Sequence, residues 1–231
     1  MRSVGCIVND IVDINFDKMV KRTKSRPLAS ERISKTSAFI YAILLCIAAF
    51  FILIQFNKLT IILGIASMFL VFLYPFIKRF TYWPQLYLGL TFNWGIIMAW
   101  TSLSNNISLE PILLYLGAIF WTLGYDTIYG LQDIEDDEII GVKSTSIKFK
   151  KNIKSFVGVC YFMNILFFLI LAMAINANTI FFIFIFLIAS HLFYQIKNLD
   201  QNDPIKCLKI FKTNNFIGLL AFITNSTLIF F

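Results

Sequence analysis

Seven stretches of about twenty mostly apolar residues follow one another along the chain, at 36–56, 59–76, 83–103, 111–131, 156–176, 179–195 and 213–231. Twenty such residues make a helix about 30 Å long, the thickness of a bilayer's hydrocarbon core. A helix satisfies its own backbone polar groups, so it stands in lipid where a loop or an open sheet edge cannot. Composition agrees: of 231 residues, 58% are hydrophobic and only 14% charged, against about 45–50% and about 25% in soluble domains. Disordered, collagenous and disulfide-scaffold classes are excluded. The expected fold is all-α, a polytopic transmembrane helical bundle, with residues 1–231 as one domain. Ahead of the first run, Val4, Ile7, Val8, Ile11, Val12 and Ile14 are too few to cross a membrane, so residues 1–16 read as a half-span, the last turns of a helix.

The net charge of +7 does not point to nucleic acid, because the cations lie between apolar runs and make no solvated basic face. They gather in alternate connections. Segment 17–35 holds Lys18, Lys21, Arg22, Lys24, Arg26, Arg32 and Lys35, and 77–82 holds Lys78 and Arg79. Segment 132–155 holds Lys143, Lys148, Lys150, Lys151 and Lys154, and 196–212 holds Lys197, Lys206, Lys209 and Lys212. Of the 20 basic residues only Lys58, on the opposite side, and Arg2, in the half-span, fall elsewhere. The excess of Lys and Arg marks cytoplasmic loops, so all four segments are expected on the cytoplasmic face.

Two acidic clusters share that side. In Asn9-Asp10-Ile11-Val12-Asp13-Ile14-Asn15-Phe16-Asp17, the three aspartates are spaced i, i+3, i+7 and project from one helix face. The second cluster, Asp133-Ile134-Glu135-Asp136-Asp137-Glu138, continues the 111–131 run, with Asp133 and Asp137 as i, i+4 neighbours and Tyr129 and Asp126 extending the same face inward. Acids at helix ends can be a solvated cap. Crowded carboxylates also recruit cations, and two facing clusters of hard oxygens suit Mg2+, which takes one or two carboxylates and completes its octahedron with water and phosphate. Arg22, Thr23, Lys24, Ser25 and Arg26 follow the first cluster, Lys143, Ser144 and Thr145 the second, and Lys78 and Arg79 lie on the same side. Acids that hold magnesium beside cations and hydroxyls that reach phosphate oxygens make a diphosphate site, although membrane topology alone also accounts for basic residues here.

Asp126 stands seven residues deeper than Asp133, about 10 Å on a helix. At that depth it faces a bundle interior, either bonded to a substrate hydroxyl or satisfied by a neighbouring helix. His191, the one histidine, sits in an apolar run without a second ligand and reads as a packed, hydrogen-bonded side chain. Cys6, Cys46, Cys160 and Cys207 have no paired spacing, so neither a disulfide framework nor a zinc site is expected. The segment MRSVGCIVND lacks the apolar core and cleavage site of a secretory signal.

With these residues in place, the chain resembles the UbiA superfamily of intramembrane prenyltransferases, most closely its 4-hydroxybenzoate polyprenyltransferase branch. NDIVDINFDKMVKRTKSRPLAS at 9–30 is similar to that family's first aspartate motif and the basic stretch after it. YPFIKRFTYWPQLYLGLTFNWG at 74–95, DTIYGLQDIEDDEIIGVKSTSIKF at 126–149 and DPIKCLKIFKTNNFIG at 203–218 extend the similarity over nearly the whole chain, the third of the four resembling the second aspartate motif. The resemblance implies a bundle of nine helices, of which this chain carries seven full spans and a partial first helix; the family's first helix and most of its second are expected to be missing. It implies Mg2+ held by Asp10, Asp13, Asp17, Asp133 and Asp137, with Asn9, Arg22, Lys78, Arg79 and Lys143 binding substrate; by their place on the helix face, Tyr129 joins the substrate-binding group and Asp126 joins Asp10, Asp13, Asp133 and Asp137 in the catalytic group.

The activity implied is transfer of a polyprenyl group from polyprenyl diphosphate to the ring of 4-hydroxybenzoate, a step of ubiquinone biosynthesis, in the bacterial inner membrane or an equivalent one. The faces of Phe72, Tyr74, Phe92, Trp94, Trp121 and Tyr129 can stabilise an allylic cation, although with 17% aromatic residues most rings only pack or face lipid. Another aromatic acceptor is the alternative within the superfamily. A transporter is disfavoured because the charge clusters at one rim and not at the midplane. A phosphatidyltransferase of the CDP-alcohol type is disfavoured because its acids form one continuous motif, whereas these clusters lie more than a hundred residues apart.

Overall fold

The computed structural model describes residues 1–20 and 23–230, with side chains through residue 227. Among the described residues it is helical, without strands. The half-span is α1 (Arg2–Met19), followed by α2 (Lys35–Leu53) and α3 (Lys58–Phe80). Next come α4 (Pro84–Phe92), α5 (Gly95–Ser104) and α6 (Leu109–Tyr129). Two short helices, α7 (Ile134–Ile140) and α8 (Thr145–Lys148), lead to α9 (Ile153–Ala174), α10 (Thr179–Asn198), α11 (Pro204–Lys212) and α12 (Asn214–Phe230). Among the described residues five continuous helices, α2, α3, α6, α9 and α10, are long and apolar enough to cross a membrane.

Side-chain caps set the helix starts. Asn57 Oδ1 accepts from Thr60 N at 3.0 Å to open α3, and Asn178 Oδ1 from Phe181 N at 2.9 Å to open α10. Each satisfies a backbone donor that the first helical turn leaves without a partner. Helix α6 is the hub, packed against α4, α5, α9 and α11. Small residues admit α9: a Cβ on Gly124 would come within 2.5 Å of the Tyr161 ring. Asn164 Nδ2 then donates to Gly117 O at 2.9 Å, a polar tie between helices where lipid supplies no hydrophobic drive. A second tie runs from Tyr161 OH to Gln195 Oε1 at 2.7 Å and from Gln195 Nε2 to Thr213 Oγ1 at 2.8 Å.

Two of the sequence expectations change. The run 83–103 is not one helix but two, broken at Asn93 and Trp94. The Asn93 amide donates to Gly89 O, Ala118 O and Thr122 Oγ1 at 2.9, 3.2 and 2.8 Å, and Trp94 Nε1 donates to Leu63 O at 3.1 Å. A polar side chain spent on neighbouring backbone interrupts the helical ladder. Nor does α6 run on into the second acidic cluster: a 3-10 turn at Gly130–Gln132 intervenes, and Asp133 opens α7. Gly130 is needed there, because a Cβ would lie 2.5 Å from Ser146 Oγ. Asp133 and Asp137 keep their i, i+4 relation through Asp137 N to Asp133 O at 2.8 Å, but their register with Asp126 is lost.

The four basic segments meet at one end of the bundle. Lys143 N donates to Lys78 O at 3.0 Å, and Arg26 reaches α1. Helix α11 packs on the end of α6, with Phe211 against Tyr129 at 4.7 Å between ring centroids.

Candidate active site

At that basic end a cavity of about 140 Å3 is lined by both acidic clusters, Asn9, Asp13 and Asp17 from α1 and Asp133 and Asp137 from α7, with Tyr74, Lys78, Thr23 and Arg26 closing it. Asp13 is the most enclosed of the acids, its side chain 1% exposed. Lys78 Nζ donates to its Oδ2. Its other oxygen, Oδ1, is buried without a hydrogen-bond partner, with Arg79 Nη2 3.8 Å away. Arg26 Nη1 bridges the other two aspartates of the helix, at 2.9 Å from Asp10 Oδ1 and 3.0 Å from Asp17 Oδ2. Lysine and arginine thus neutralise carboxylates that would repel one another along one helix face.

The remaining site candidates occupy different places. Asp10 sits beside the cavity in its pair with Arg26. Arg79 donates to Val12 O at 3.0 Å and lies over the Phe16 ring, 5.2 Å from its centroid. Lys143 turns back to the end of α3, donating to Phe80 O at 3.3 Å, with its Nζ 5.6 Å over Tyr82. Tyr129 leans on Phe211. Asp126 lies deeper, in electrostatic reach of Tyr74 and Tyr125. Arg22 falls outside the described residues. At the rim, the hydrogen bond from Lys18 to Glu31, 2.6 Å, holds the exposed Glu31 carboxyl below its ordinary range.

Ser144 and Thr145, read from sequence as phosphate-reaching hydroxyls, are buried and anchor the loop instead. Ser144 caps α8, while Thr145 N donates to Gln85 Oε1 at 2.9 Å and Thr145 Oγ1 pairs with Thr127 Oγ1 at 2.7 Å. His191 packs between Tyr194 and Phe216, but its Nε2 is buried without a hydrogen-bond partner. All four cysteines are free. Arg26, one of several cations read from sequence beside the first cluster, and Tyr74, one of several candidate rings, are the members of those groups that line the cavity along with Lys78 and Thr23. The signal for Arg26 was available: it is the arginine before Pro27, where the turn after α1 doubles back on the aspartates.

Among the described residues no three carboxylates converge on a point as a ready cation cage. The donors nevertheless fit a divalent ion: hard oxygens of two clusters border one small cavity, and Asp13 Oδ1 is dry with coordination to spare.

The UbiA prenyltransferase family model matches residues 1–223. The chain belongs to the UbiA prenyltransferase family. It is 39% identical over 228 residues to the 4-hydroxybenzoate octaprenyltransferase of Francisella tularensis subsp. novicida (strain U112), covering 96% of this chain and 78% of that one. It is also 39% identical over 222 residues to the enzyme of the same name from Psychromonas ingrahamii, covering 96% and 77%. Among solved structures, a UbiA homolog from Aeropyrum pernix K1 superposes with a TM-score of 0.85 at 20% identity, over 99% of this chain and 85% of the other. A UbiA homolog from Archaeoglobus fulgidus, bound to GPP and Mg2+, superposes at 0.68 with 14% identity, over 96% and 83%. These two likenesses establish the fold of this UbiA member, and its several apolar spans make it an integral membrane protein.

Proposed function

We propose that this UbiA family member is a Mg2+-dependent 4-hydroxybenzoate polyprenyltransferase, one domain over 1–231, active at the cytoplasmic face of the bacterial inner membrane in ubiquinone biosynthesis. The observation that carries the reading is the single cavity bordered by both aspartate clusters and by Lys78 and Arg26. The likeness to named 4-hydroxybenzoate octaprenyltransferases supports the acceptor.

The reaction breaks the allylic C–O bond of polyprenyl diphosphate, forms a C–C bond to the ring carbon beside the phenol oxygen, and releases the ring proton and diphosphate. Asp10, Asp13, Asp17, Asp133 and Asp137 would hold Mg2+, which supplies charge neutralisation for the departing diphosphate, with Asn9 beside them binding substrate. Lys78 and Arg26, which neutralise the aspartates in this structure, are placed to turn to phosphate oxygens, and the guanidinium plane suits them. Asp126 is placed inside the bundle to accept the hydrogen of the acceptor's phenol. Tyr74 lines the cavity with Asp13 and is in electrostatic reach of Asp126, so its ring face can stabilise an allylic cation. The apolar helices below the rim solvate the prenyl tail and keep out the water that would capture the cation.

The direct test is a product assay on membranes containing the chain, given polyprenyl diphosphate, 4-hydroxybenzoate and Mg2+. The expected product is 3-polyprenyl-4-hydroxybenzoate, and its absence from membranes in which the chain is properly inserted refutes the acceptor assignment.

A further inference from the structure

Between α8 and the start of α9 a lysine recurs at every third residue, as Lys148, Lys151 and Lys154. Lys148 lies over the Trp83 ring, 4.4 Å from its centroid, and Trp83 meets the rings of Phe149 and Phe156 at 5.8 and 6.1 Å. Tryptophan and lysine together suit the boundary between hydrocarbon and headgroups, so this cluster marks where the basic end of the bundle meets the bilayer surface. Lys150 is spent on Glu138, 2.9 Å away. Lys151 and Lys154 are exposed, and among the described residues neither has an ion pair.

Those two lysines line a cavity of about 330 Å3 between the start of α9 and the turn after α10, with Ser155, Leu199, Asp200 and Gln201. Asp200 serves its own turn, its Oδ1 accepting from Asn202 N at 3.1 Å, so it leaves the lysine charges uncompensated. Below Ser155, Val159 and Phe162 follow at i+4 and i+7 on one face of α9. They are 60% and 65% exposed, and an exposed apolar face on a spanning helix lies against lipid. A cationic hollow thus stands at the head of a lipid-facing apolar track.

From this juxtaposition we propose that the cavity binds the headgroup of an anionic phospholipid, its phosphate between Lys151 and Lys154 and an acyl chain along Val159 and Phe162. Basic hollows between helices at a membrane surface take such headgroups, and ammonium groups meet phosphate as point charges without demanding a fixed plane. A zwitterionic headgroup carries its own cation and gains little there. The cavity shares no lining residue with the one between the aspartate clusters, so the inference goes beyond the proposed reaction and holds for any acceptor. A lipid seated there bridges the start of α9 and the end of α10, and so stabilises the folded bundle.

The experiment titrates the full chain, purified in an uncharged detergent and stripped of lipid, with phosphatidylglycerol or with phosphatidylcholine of the same acyl chains. The rise of the thermal midpoint with lipid concentration gives an apparent Kd for each. Phosphatidylglycerol is expected to bind about 10- to 30-fold more tightly, each lysine near an anionic headgroup being worth about 5-fold. Lys151→Gln with Lys154→Gln should bring it to the phosphatidylcholine level, while Lys209→Gln with Lys212→Gln, exposed on α11 at the same end, should keep the preference. Glycerol 3-phosphate, with the charge but no chains, should not displace phosphatidylglycerol. Equal wild-type Kd values for the two lipids overturn the inference without any variant. So does a preference that survives the loss of Lys151 and Lys154, or one that falls as far in the α11 pair, since that is diffuse charge at the rim. Displacement by glycerol 3-phosphate at the lipid's own concentration overturns it in favour of a free anion.

Discussion

Replacing Arg26 by methionine tests whether the basic residue between the aspartates holds the charge balance that a metal would supply there. Met keeps the apolar stem and deletes the charge. The side chains of Arg26, Asp10 and Asp17 are 33%, 27% and 9% exposed, and Nη1 serves both acids. Losing one partner of a fully buried pair costs about 3–5 kcal/mol, and an exposed pair is worth about 0–1 kcal/mol. With Asp17 nearly enclosed and Arg26 one-third exposed, the expected loss is about 2 kcal/mol. Unfolding of the detergent-solubilised chain should show that loss in EDTA. Saturating Mg2+ should recover more than half of it, because an ion that binds only the folded site stabilises by mass action and takes the place the guanidinium vacated. Adding Asp17→Asn to Arg26→Met should also relieve it, with a coupling of about 1–2 kcal/mol. The same loss with and without Mg2+, or additive effects in the double variant, would refute the charge-balance argument.

The other expected outcomes concern catalysis and packing. Asp13→Asn and Asp133→Asn should each lower kcat at least 100-fold, the scale of about 2.7 kcal/mol, with membrane insertion intact; turnover near normal in an inserted variant removes that residue from the metal set. Excess EDTA should stop product formation and added Mg2+ restore it, whereas undiminished turnover in EDTA counts against metal-assisted ionisation. Gly124→Val should lower the yield of folded protein by about 1–3 kcal/mol of overpacking, since a Cβ already lies 2.5 Å from the Tyr161 ring; a thermal midpoint equal to wild type means that α6 and α9 separate there at little cost.

Hydropathy and charge carry most of the fold here because lipid removes alternatives. An apolar run between Asn57 and a lysine-arginine pair has one stable form in a bilayer, and α3 takes it. The i, i+3, i+7 aspartates were legible for the same reason, since a helix fixes their common face before any partner arrives. Legibility ends where one polar side chain outweighs an apolar average. Asn93 is a single amide in the run 83–103, and no window of hydropathy shows that it will spend its donors on Ala118 and Thr122 of another helix. Ser144 and Thr145 fail differently: hydroxyls after a lysine look like phosphate ligands until α4 and α6 supply Gln85 and Thr127 as partners. That Arg26 meets the aspartates is likewise decided by the turn at Thr23–Arg26, a local geometry that charge counting does not contain.

The arrangement of the cations bears on how such a site survives between turnovers. On the proposed reading the carboxylates crowded on α1 and α7 receive a metal and a diphosphate, and by themselves such acids repel one another. Lys78 comes from the end of α3 and Arg26 from the turn after α1, two elements that also frame the cavity mouth. The same side chains that neutralise the acids are therefore placed to turn to phosphate oxygens by a change of rotamer. Asp13 keeps one oxygen outside this arrangement, buried and without a hydrogen bond. That oxygen is a point at which a cation gains by entering, because it combines enclosure with no hydrogen bond to break.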